Sequence, residues 1–485
     1  MKVALLCLIL LSTSFNVGFS IPYVTSYDNS TGPLKVVIYY GWLDVDVFSN
    51  KDWSGLDILI ISPDHNLESE QALSIIRSLR SAGVEIFLYL ETACGETEYS
   101  YTLASDKEEW FSMVTNRALE LLEYGNGVFL DCVGPRDMYG RPTGPEYANY
   151  IALLIERIHS EGGLTIVNNL LDLYEWWREG FHNIPLNSDY YMFEDCWTAF
   201  SGGEASYRDF NYDWEVSMFA ESLGLNVIGV SHGPAGNQDM IDYAYCCSLL
   251  AGFKGFYYDD PSWNYWRDAW IPPVNWDVGI PVGGWWKDGK EYHRFYTYAL
   301  ITVDVKSHAG ILEPVRIDVA TIGNVKGSSP ILVRPTLNPE ADAEAVEVLS
   351  PICGGVCTDE AVKDINRSMV VLAGPLSNRV SAGLNPIADL KFTRADGRWT
   401  IEVPGFTAEM PVEFGHSDYG VVTAIKYNGR FVLLVEGCTR YGTLAAAATI
   451  LEGSHDGFTQ LIVYWKDENG NSKVEPEEIE IVYSV

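Results

Sequence analysis

Positive charge is what this sequence has least of. Its 485 residues carry 32 Lys and Arg against 66 Asp and Glu, a formal net charge of −34 at pH 7. A field of that sign repels polyanions, which argues against nucleic acid or anionic lipid as partners. Only 20% of residues are charged, so the acidity reflects a shortage of bases, not a charge-laden surface. Zinc signatures are missing too: there is no HExxH and no Cys/His tetrad. Residues 284–290 spell G-x-x-x-x-G-K, but Glu291 replaces the Ser or Thr of a P-loop and no strand–helix frame surrounds it. No cofactor is expected. Beyond the N-terminus there is no run of about 18 apolar residues, which excludes a membrane-spanning helix on sequence grounds. No period of about 20–50 residues signals a solenoid.

What is present is apolar and aromatic. Hydrophobic residues make up 47% of the chain, with 15 Trp and 29 Tyr, enough for sizeable cores. At roughly 150 residues per domain the length suggests about three domains, or one large barrel with a smaller partner. Residues 1–20 read as a secretory signal peptide: Lys2, an apolar run, then small residues. The expected location is therefore secreted, either extracellular or associated with the cell surface. Nine cysteines include Cys7 in that leader, which leaves an even number for an oxidising compartment. Export would also give meaning to the glycosylation sequons at Asn29 and Asn366.

From about residue 33 to 262 short apolar runs alternate with amphipathic segments. The runs are 36–40, 58–62, 86–90, 128–130, 164–167, 190–193, 227–230 and 255–258. Each suits a strand buried on both faces of a parallel sheet. Residues 70–81, 107–122 and 147–160 read as helices between them. Eight such units in about 230 residues predict a (β/α)8 barrel, with a doubly wound open sheet as the alternative. After Trp266 the pattern shifts to Pro, Gly and Trp, then to seven further strand-like runs and one helix at 444–451. The fold class is thus α/β, a (β/α)8 barrel followed by a smaller α+β domain. The boundaries read as 1–20 leader, 21–275 barrel, 276–345 connector strands and 346–485 second domain. The acidic, Ala-rich run 340–347 fits a solvated loop or short helix.

Catalytic groups in such a barrel stand at the C-terminal ends of the strands. Reading those ends in order gives Tyr40 and Trp42, Asp64 and His65, Glu91, Asp131, Asn168 with Asn169, Glu194 with Asp195 and Trp197, Ser231 with His232, and Asp259 with Asp260. Acidic and amide groups therefore ring one mouth, although strand-end Asp also commonly caps the next helix. Asp131 and Glu194, each directly after a strongly apolar strand, are the candidate catalytic pair. Such a pair is what glycoside hydrolysis needs: one acid protonates the leaving oxygen, the other attacks or activates water. Tyr40, Trp42, Asp64, His65, Glu91, Asn168, Trp197, His232 and Asp259 are the candidate substrate-binding residues, the tryptophans as sugar-stacking or core side chains. Asn168 either bonds a substrate hydroxyl or caps the following helix.

The order FLD, IVNN and FED after strands four, five and six resembles the spherulin-4-like and endo-α-1,4-polygalactosaminidase glycoside hydrolases, family 114 and its relatives. The resemblance covers roughly residues 33–265 and implies a secreted barrel acting on galactosamine-containing polymers. It implies Asp131 as nucleophile, Glu194 as acid/base and Asn168 as an essential neighbour. Cys132 and Cys196 beside the acids, and the missing NPG-like turn at 168–170, depart from that pattern and leave the polymer open. VVLAGPLSN at 370–378 and FVLLVEGCTRYGTLAAAATIL at 431–451 resemble archaeal S-layer domains, which implies a role at a cell-surface lattice. Gly442 and Thr443 would in either case cap the Ala-rich helix.

The resulting expectation is a secreted hydrolase of α-linked amino-sugar polysaccharide associated with a surface layer. One alternative is a structural lattice protein whose barrel binds glycan without cleaving it. Another is a serine hydrolase, since Gly229–Gly233 matches G-x-S-x-G around Ser231. Asp467, Asn469, Asn471 and Glu478 occupy positions 1, 3, 5 and 12 of a calcium loop, although Ser472 replaces the usual Gly and a polar hairpin explains the segment equally. Cys94 and Cys132 follow adjacent strands and could pair. Cys353 and Cys357 in CGGVC could close a small ring. Cys246 and Cys247 read as buried thiols.

Overall fold

A computed structural model of the chain describes residues 33–485 apart from 44–52, 54, 65, 96, 182–183, 202–203, 261–277, 363–366, 396–397, 409–411 and 452–453. The leader, both sequons, His65, Trp266 and part of the connector lie outside the described residues.

The eight apolar runs form a closed parallel barrel. Its first six strands are β1 (Leu34–Tyr39), β2 (Ile58–Ile61), β3 (Glu85–Glu91), β4 (Gly127–Asp131), β5 (Leu164–Asn168) and β6 (Tyr190–Phe193). A hairpin, β7 (Thr198–Ser201) with β8 (Glu204–Tyr207), follows β6 before the last two, β9 (Val227–His232) and β10 (Gly255–Asp259). β10 then pairs with β1 and closes the ring. Burial on both faces explains the unbroken apolar runs: all four residues of β2 are buried.

Around the barrel stand α1 (Glu70–Ser81), α2 (Lys107–Leu121), α3 (Pro145–Ser160), α4 (Leu170–Arg178), α5 (Phe210–Ser222) and α6 (Gln238–Leu250). Side chains N-cap most of them. Ser69, Asp106, Asn169, Asp209 and Asn237 each accept from a backbone N–H in the first turn.

The next strands are β11 (Trp286–Asp288), β12 (Glu291–Phe295), β13 (Ala299–Asp304) and β14 (Ala309–Pro314), an antiparallel sheet. It packs on α6: Tyr296 Oη donates to Leu249 O at 2.8 Å and Arg294 Nη1 to Leu250 O at 2.9 Å. Tyr292, Ile301 and Val303 join the barrel's own apolar core. This half of the expected connector is therefore part of the barrel's packing.

β15 (Ile317–Val319), α7 (Ile322–Lys326), β16 (Ile331–Arg334) and α8 (Ala343–Leu349) come next. α8 takes in residues 343–347 of the acidic Ala-rich run, with 340–342 a turn before it. β17 (Val356–Thr358), β18 (Met369–Leu372) and α9 (Arg379–Leu384) follow, then a small sheet of β19 (Lys391–Ala395), β20 (Arg398–Val403) and β21 (Phe406–Ala408). Last are β22 (Ser417–Tyr427), β23 (Arg430–Gly437), α10 (Arg440–Leu451), β24 (Gln460–Lys466) and β25 (Ile479–Ser484). The large mixed sheet runs β17–β16–β18–β23–β22–β24–β25, with β15 paired to β22. This sheet takes in β15 and β16, so it starts before residue 346.

The GCTRYGT segment has a packing reason. α10 lies on the sheet at backbone contact, and a Cβ on Gly442 would meet Tyr419 O at 1.9 Å. Asp418 holds the helix start, accepting from the N–H of Thr439 at 3.0 Å and of Gly442 at 2.7 Å. The cap is thus Asp418, not Gly442 or Thr443. Cys353 and Cys357 are free thiols rather than a ring. The intervening glycines are drawn into the sheet, with Gly354 N donating to Pro330 O and Gly355 O accepting from Leu332 N, which keeps the segment extended. Cys246 and Cys247 are buried thiols, as expected. The proposed calcium loop is the polar hairpin of the alternative reading. Asp467 accepts from the N–H of Gly470, Asn471 and Ser472, and Asn469 and Asn471 both donate to Glu475. Glu478 accepts from Trp465 Nε1 and Glu468 N.

Glu436 on β23 is fully buried and accepts from Asn385 Nδ2 at 3.0 Å. Its other oxygen, Oε1, and Asn385 Oδ1 are buried without a hydrogen-bond partner. Burial pushes the carboxyl up to about 8, against the hydrogen bonds from Ser381 and Asn385. The folded state then keeps a proton that the unfolded chain releases near the ordinary carboxylate range. Its contribution to stability is full below that range and is lost as pH rises through about 8. Thermal melts across pH 5–9 should show Glu436→Gln, a permanent donor, losing less stability with rising pH than the unaltered chain, by on the order of a few kcal/mol. Parallel pH profiles would show that Glu436 is not the proton-binding group.

Candidate functional site

Side chains alternate along a strand, so residues i and i+2 face the same way. The pocket at the C-terminal mouth of the barrel shows this parity. Ile38 and Tyr40, Met192 and Glu194, Val230 and His232, and Tyr257 and Asp259 line it in pairs, with Asn168, Asp195 and Phe200. Its cavity volume is about 270 Å³. Asp131 stands beside it, half-buried and bonded to Asn168.

Asn168 is the bridge. Its Nδ2 donates to Asp131 Oδ1 at 2.8 Å and to Glu194 Oε2 at 2.9 Å. The two N–H bonds of an amide diverge by about 120°, so linear bonds of these lengths set the two accepting oxygens about 5 Å apart. Both donors of Asn168 are thereby used. Its Oδ1 is buried without a hydrogen-bond partner among the described residues. Asn168 does not cap α4, because Asn169 does so, accepting from Leu171 N at 3.1 Å.

Asp131 accepts two further bonds, from Tyr89 Oη at 2.8 Å and from the N–H of Cys132 at 2.8 Å. Burial raises its carboxyl, and the three donors pull it back toward the anion. Glu194 is raised by burial and by the charge of Asp131, with Asn168 and His232 opposing. His232 lies close to three acids: Nδ1 is 3.5 Å from Asp259 Oδ1, and Nε2 is 3.7 Å from Asp195 Oδ1 and 4.0 Å from Glu194 Oε1. Tyr40 packs edge-on against Tyr89, ring centroids 5.6 Å apart.

The backbone beside both acids is unusual. Cys132, Asp195 and Trp197 have φ of 60°, 56° and 62°, the left-handed region, which costs non-glycine residues about 1–2 kcal/mol each. Local bonds hold them there: the Cys94–Cys132 disulfide, expected from strand adjacency, Cys196 N to Val230 O, and Trp197 N to Asp213 Oδ2 at 2.7 Å.

Several expected residues stand elsewhere. Trp197 is core, 1% exposed, with Nε1 donating to Ser248 Oγ and its ring against Phe210 and Phe253. Asp195 at φ 56° and the buried Asp213 that takes its N–H turn it inward, so it stacks on no sugar. Glu91 is buried and accepts from Gly95 N and Thr97 N, holding the loop after β3 instead of lining the pocket. Asp64 is exposed and away from the pocket wall; the tie between the β1 and β2 loops is Asn66, which accepts from Leu43 N and donates to Gly41 O and Ser62 O. Trp42 is 54% exposed and outside the wall. Ser231 is fully buried and donates to Cys196 O. By strand parity it faces away from the pocket that His232 enters, which removes the serine-nucleophile alternative. Sequence reading missed Tyr89, two residues before the end of β3; parity from Glu91 was the signal that pointed to it.

No family model and no curated protein matches the chain. Among the solved structures similar to it are glycoside hydrolase barrels. The glycoside hydrolase domain of PelA from Pseudomonas aeruginosa is 14% identical, with TM-score 0.36, over 48% of this chain and 97% of its own. The chitinase domain of the spore coat protein CotE from Clostridium difficile is 12% identical, with TM-score 0.31, over 69% of this chain and 89% of its own. Malate synthase from Haloferax volcanii is 9% identical, with TM-score 0.32, over 50% of this chain and 82% of its own. Likeness at this level says nothing about chemistry, and the barrel rests on its own strand pairing.

The two neighbouring asparagines separate by experiment. Asn169→Ala should cost about 1 kcal/mol of thermal stability as a lost cap and leave the acids' titration unchanged. Asn168→Ala removes the donor that favours both anions, so carboxyl titrations followed by ¹³C NMR should move upward for Asp131 and Glu194. Unmoved titrations would show that the amide does not hold the pair.

Proposed function

We propose that this chain is a retaining glycoside hydrolase that acts on α-linked amino-sugar polysaccharide. The observation that carries the reading is the single Asn168 amide donating to both carboxylates, whose accepting oxygens ideal bond geometry sets about 5 Å apart, in keeping with a nucleophile and an acid/base. Asp131, with three donors stabilising its charge, suits the nucleophile. Glu194, raised by burial and by its anionic neighbour, suits the acid that keeps a proton.

In the first step Asp131 Oδ attacks the anomeric carbon while Glu194 gives its proton to the departing glycosidic oxygen. A glycosyl ester on Asp131 results. Glu194, now a carboxylate, takes a proton from water, which attacks the same carbon and releases Asp131. Two inversions give net retention.

Substrate class is supported by charge. Glu194, Asp195 and Asp259 line the pocket, Asp131 stands beside it, and no Lys or Arg is among the lining residues. That favours a cationic or neutral sugar over a uronic acid. Export is supported by the leader-like N-terminus and by the Cys94–Cys132 disulfide. Among the described residues no helix is long and apolar enough to cross a membrane. Attachment to a surface layer rests on the resemblance of residues 370–378 and 431–451 alone.

Glu194→Gln should lower turnover of α-1,4-galactosamine oligosaccharides by ~10²–10⁴-fold and spare a substrate with an activated leaving group. Asp131→Asn should abolish both activities, and Ser231→Ala should change neither. Proton NMR should show the α-anomer of the product first. A β-anomer appearing first would sink the retaining assignment, and no turnover of any oligosaccharide by the unaltered chain would leave the glycan-binding alternative in its place.

A further inference from the structure

His232 is the one basic side chain among the residues that line the pocket. It ends β9 and is paired in register with Asp259 at the end of β10. On its other side is β6, after which come Glu194 and Asp195. The imidazole therefore sits between two sources of negative charge. Asp259 faces Nδ1 at 3.5 Å; Asp195 and Glu194 face Nε2 at 3.7 and 4.0 Å. The remaining titratable side chains of the lining, Tyr40 and Tyr257, bring no charge near neutral pH. His232 Nδ1 and Asp259 Oδ1 are both buried and face each other.

We propose that His232 is a positioning residue for the acid/base: an imidazolium steadied by Asp259 that supplies the counter-charge to Glu194 once Glu194 has given up its proton. The inference rests on the two-carboxylate reading above. Its logic is electrostatic. The proton leaves Glu194 for the glycosidic oxygen, so a negative charge appears on a carboxyl already within about 5 Å of another acid. Asn168 alone donates to both. A cation on the far side of Glu194 offsets the new charge and returns nothing to Asp131, because it faces the oxygen that Asn168 does not. Burial pulls the imidazole down, but Asp259, Glu194 and Asp195 together hold it above its ordinary value, which favours the charged form.

His232 is distinguished from a mere substrate contact by pH. The alkaline limb of kcat/KM reports the acid in the free enzyme. His232→Gln should move that limb upward by about one pH unit and lower kcat about tenfold, because the second step needs Glu194 as an anion. Asp259→Asn should lower the His232 titration followed by NMR and weaken activity in the same direction by less. A raised KM with an unmoved limb would overturn the proposal in favour of substrate contact. A His232 that titrates at or below the ordinary imidazole value in the unaltered chain would overturn it even if His232→Gln fails to fold. Full activity in Glu194→Gln would instead remove the two-carboxylate reading itself, whatever His232 does.

Discussion

One amide nitrogen shared by two acids is the interaction on which this site depends. Carboxylates about 5 Å apart in a half-buried pocket repel, and burial penalises each charge separately. Asn168 lowers both penalties with its two N–H bonds, while Tyr89 and the Cys132 amide favour Asp131 alone. The asymmetry is the useful part. Under the proposed reaction, unequal support favours the proton on Glu194 and gives the pair its two roles.

That arrangement demands backbone that ordinary strands do not supply. The left-handed residues 132, 195 and 197 turn the chain sharply just after each acid. The disulfide to Cys94 fixes the first turn. The buried Asp213, paired with Arg208 and accepting Trp197 N–H, fixes the last. Trp197 looks like a sugar-stacking residue by sequence position, yet its work is to fill the space behind the turn that aims Glu194. Asp213 and Ser248, from two helices, hold it by its N–H groups. The second sheet follows a different constraint. There, helix and strand approach to backbone contact, so Gly420, Gly437 and Gly442 face one another and the helix carries Ala445, Ala446 and Ala447. Chemistry shapes the residues of the barrel mouth; close packing shapes those of the Ala-rich helix.

The eight barrel strands were legible in the sequence because a parallel strand covered on both faces is apolar throughout, whatever its neighbours. Their ends named Asp131, Asn168, Glu194, His232 and Asp259, since chain order alone places strand ends at one mouth. The hairpin β7–β8 and the sheet β11–β14 were not legible. Their strands are mixed in burial and composition, and it is the contact of β7 with β9, and of β12, β13 and β14 with α6, that makes them part of the barrel. CGGVC could be read as a ring because two glycines permit one, but pairing to β16 pulled it straight. What the sequence determined by itself was the order of buried strands and the acids at their ends, both local properties of hydrophobic period. Which of those side chains face inward, which oxygen each donor reaches, and how far apart two acids stand were decided only in three dimensions. Those depend on strand parity about a closed ring and on bonds between residues 26 to 42 positions apart.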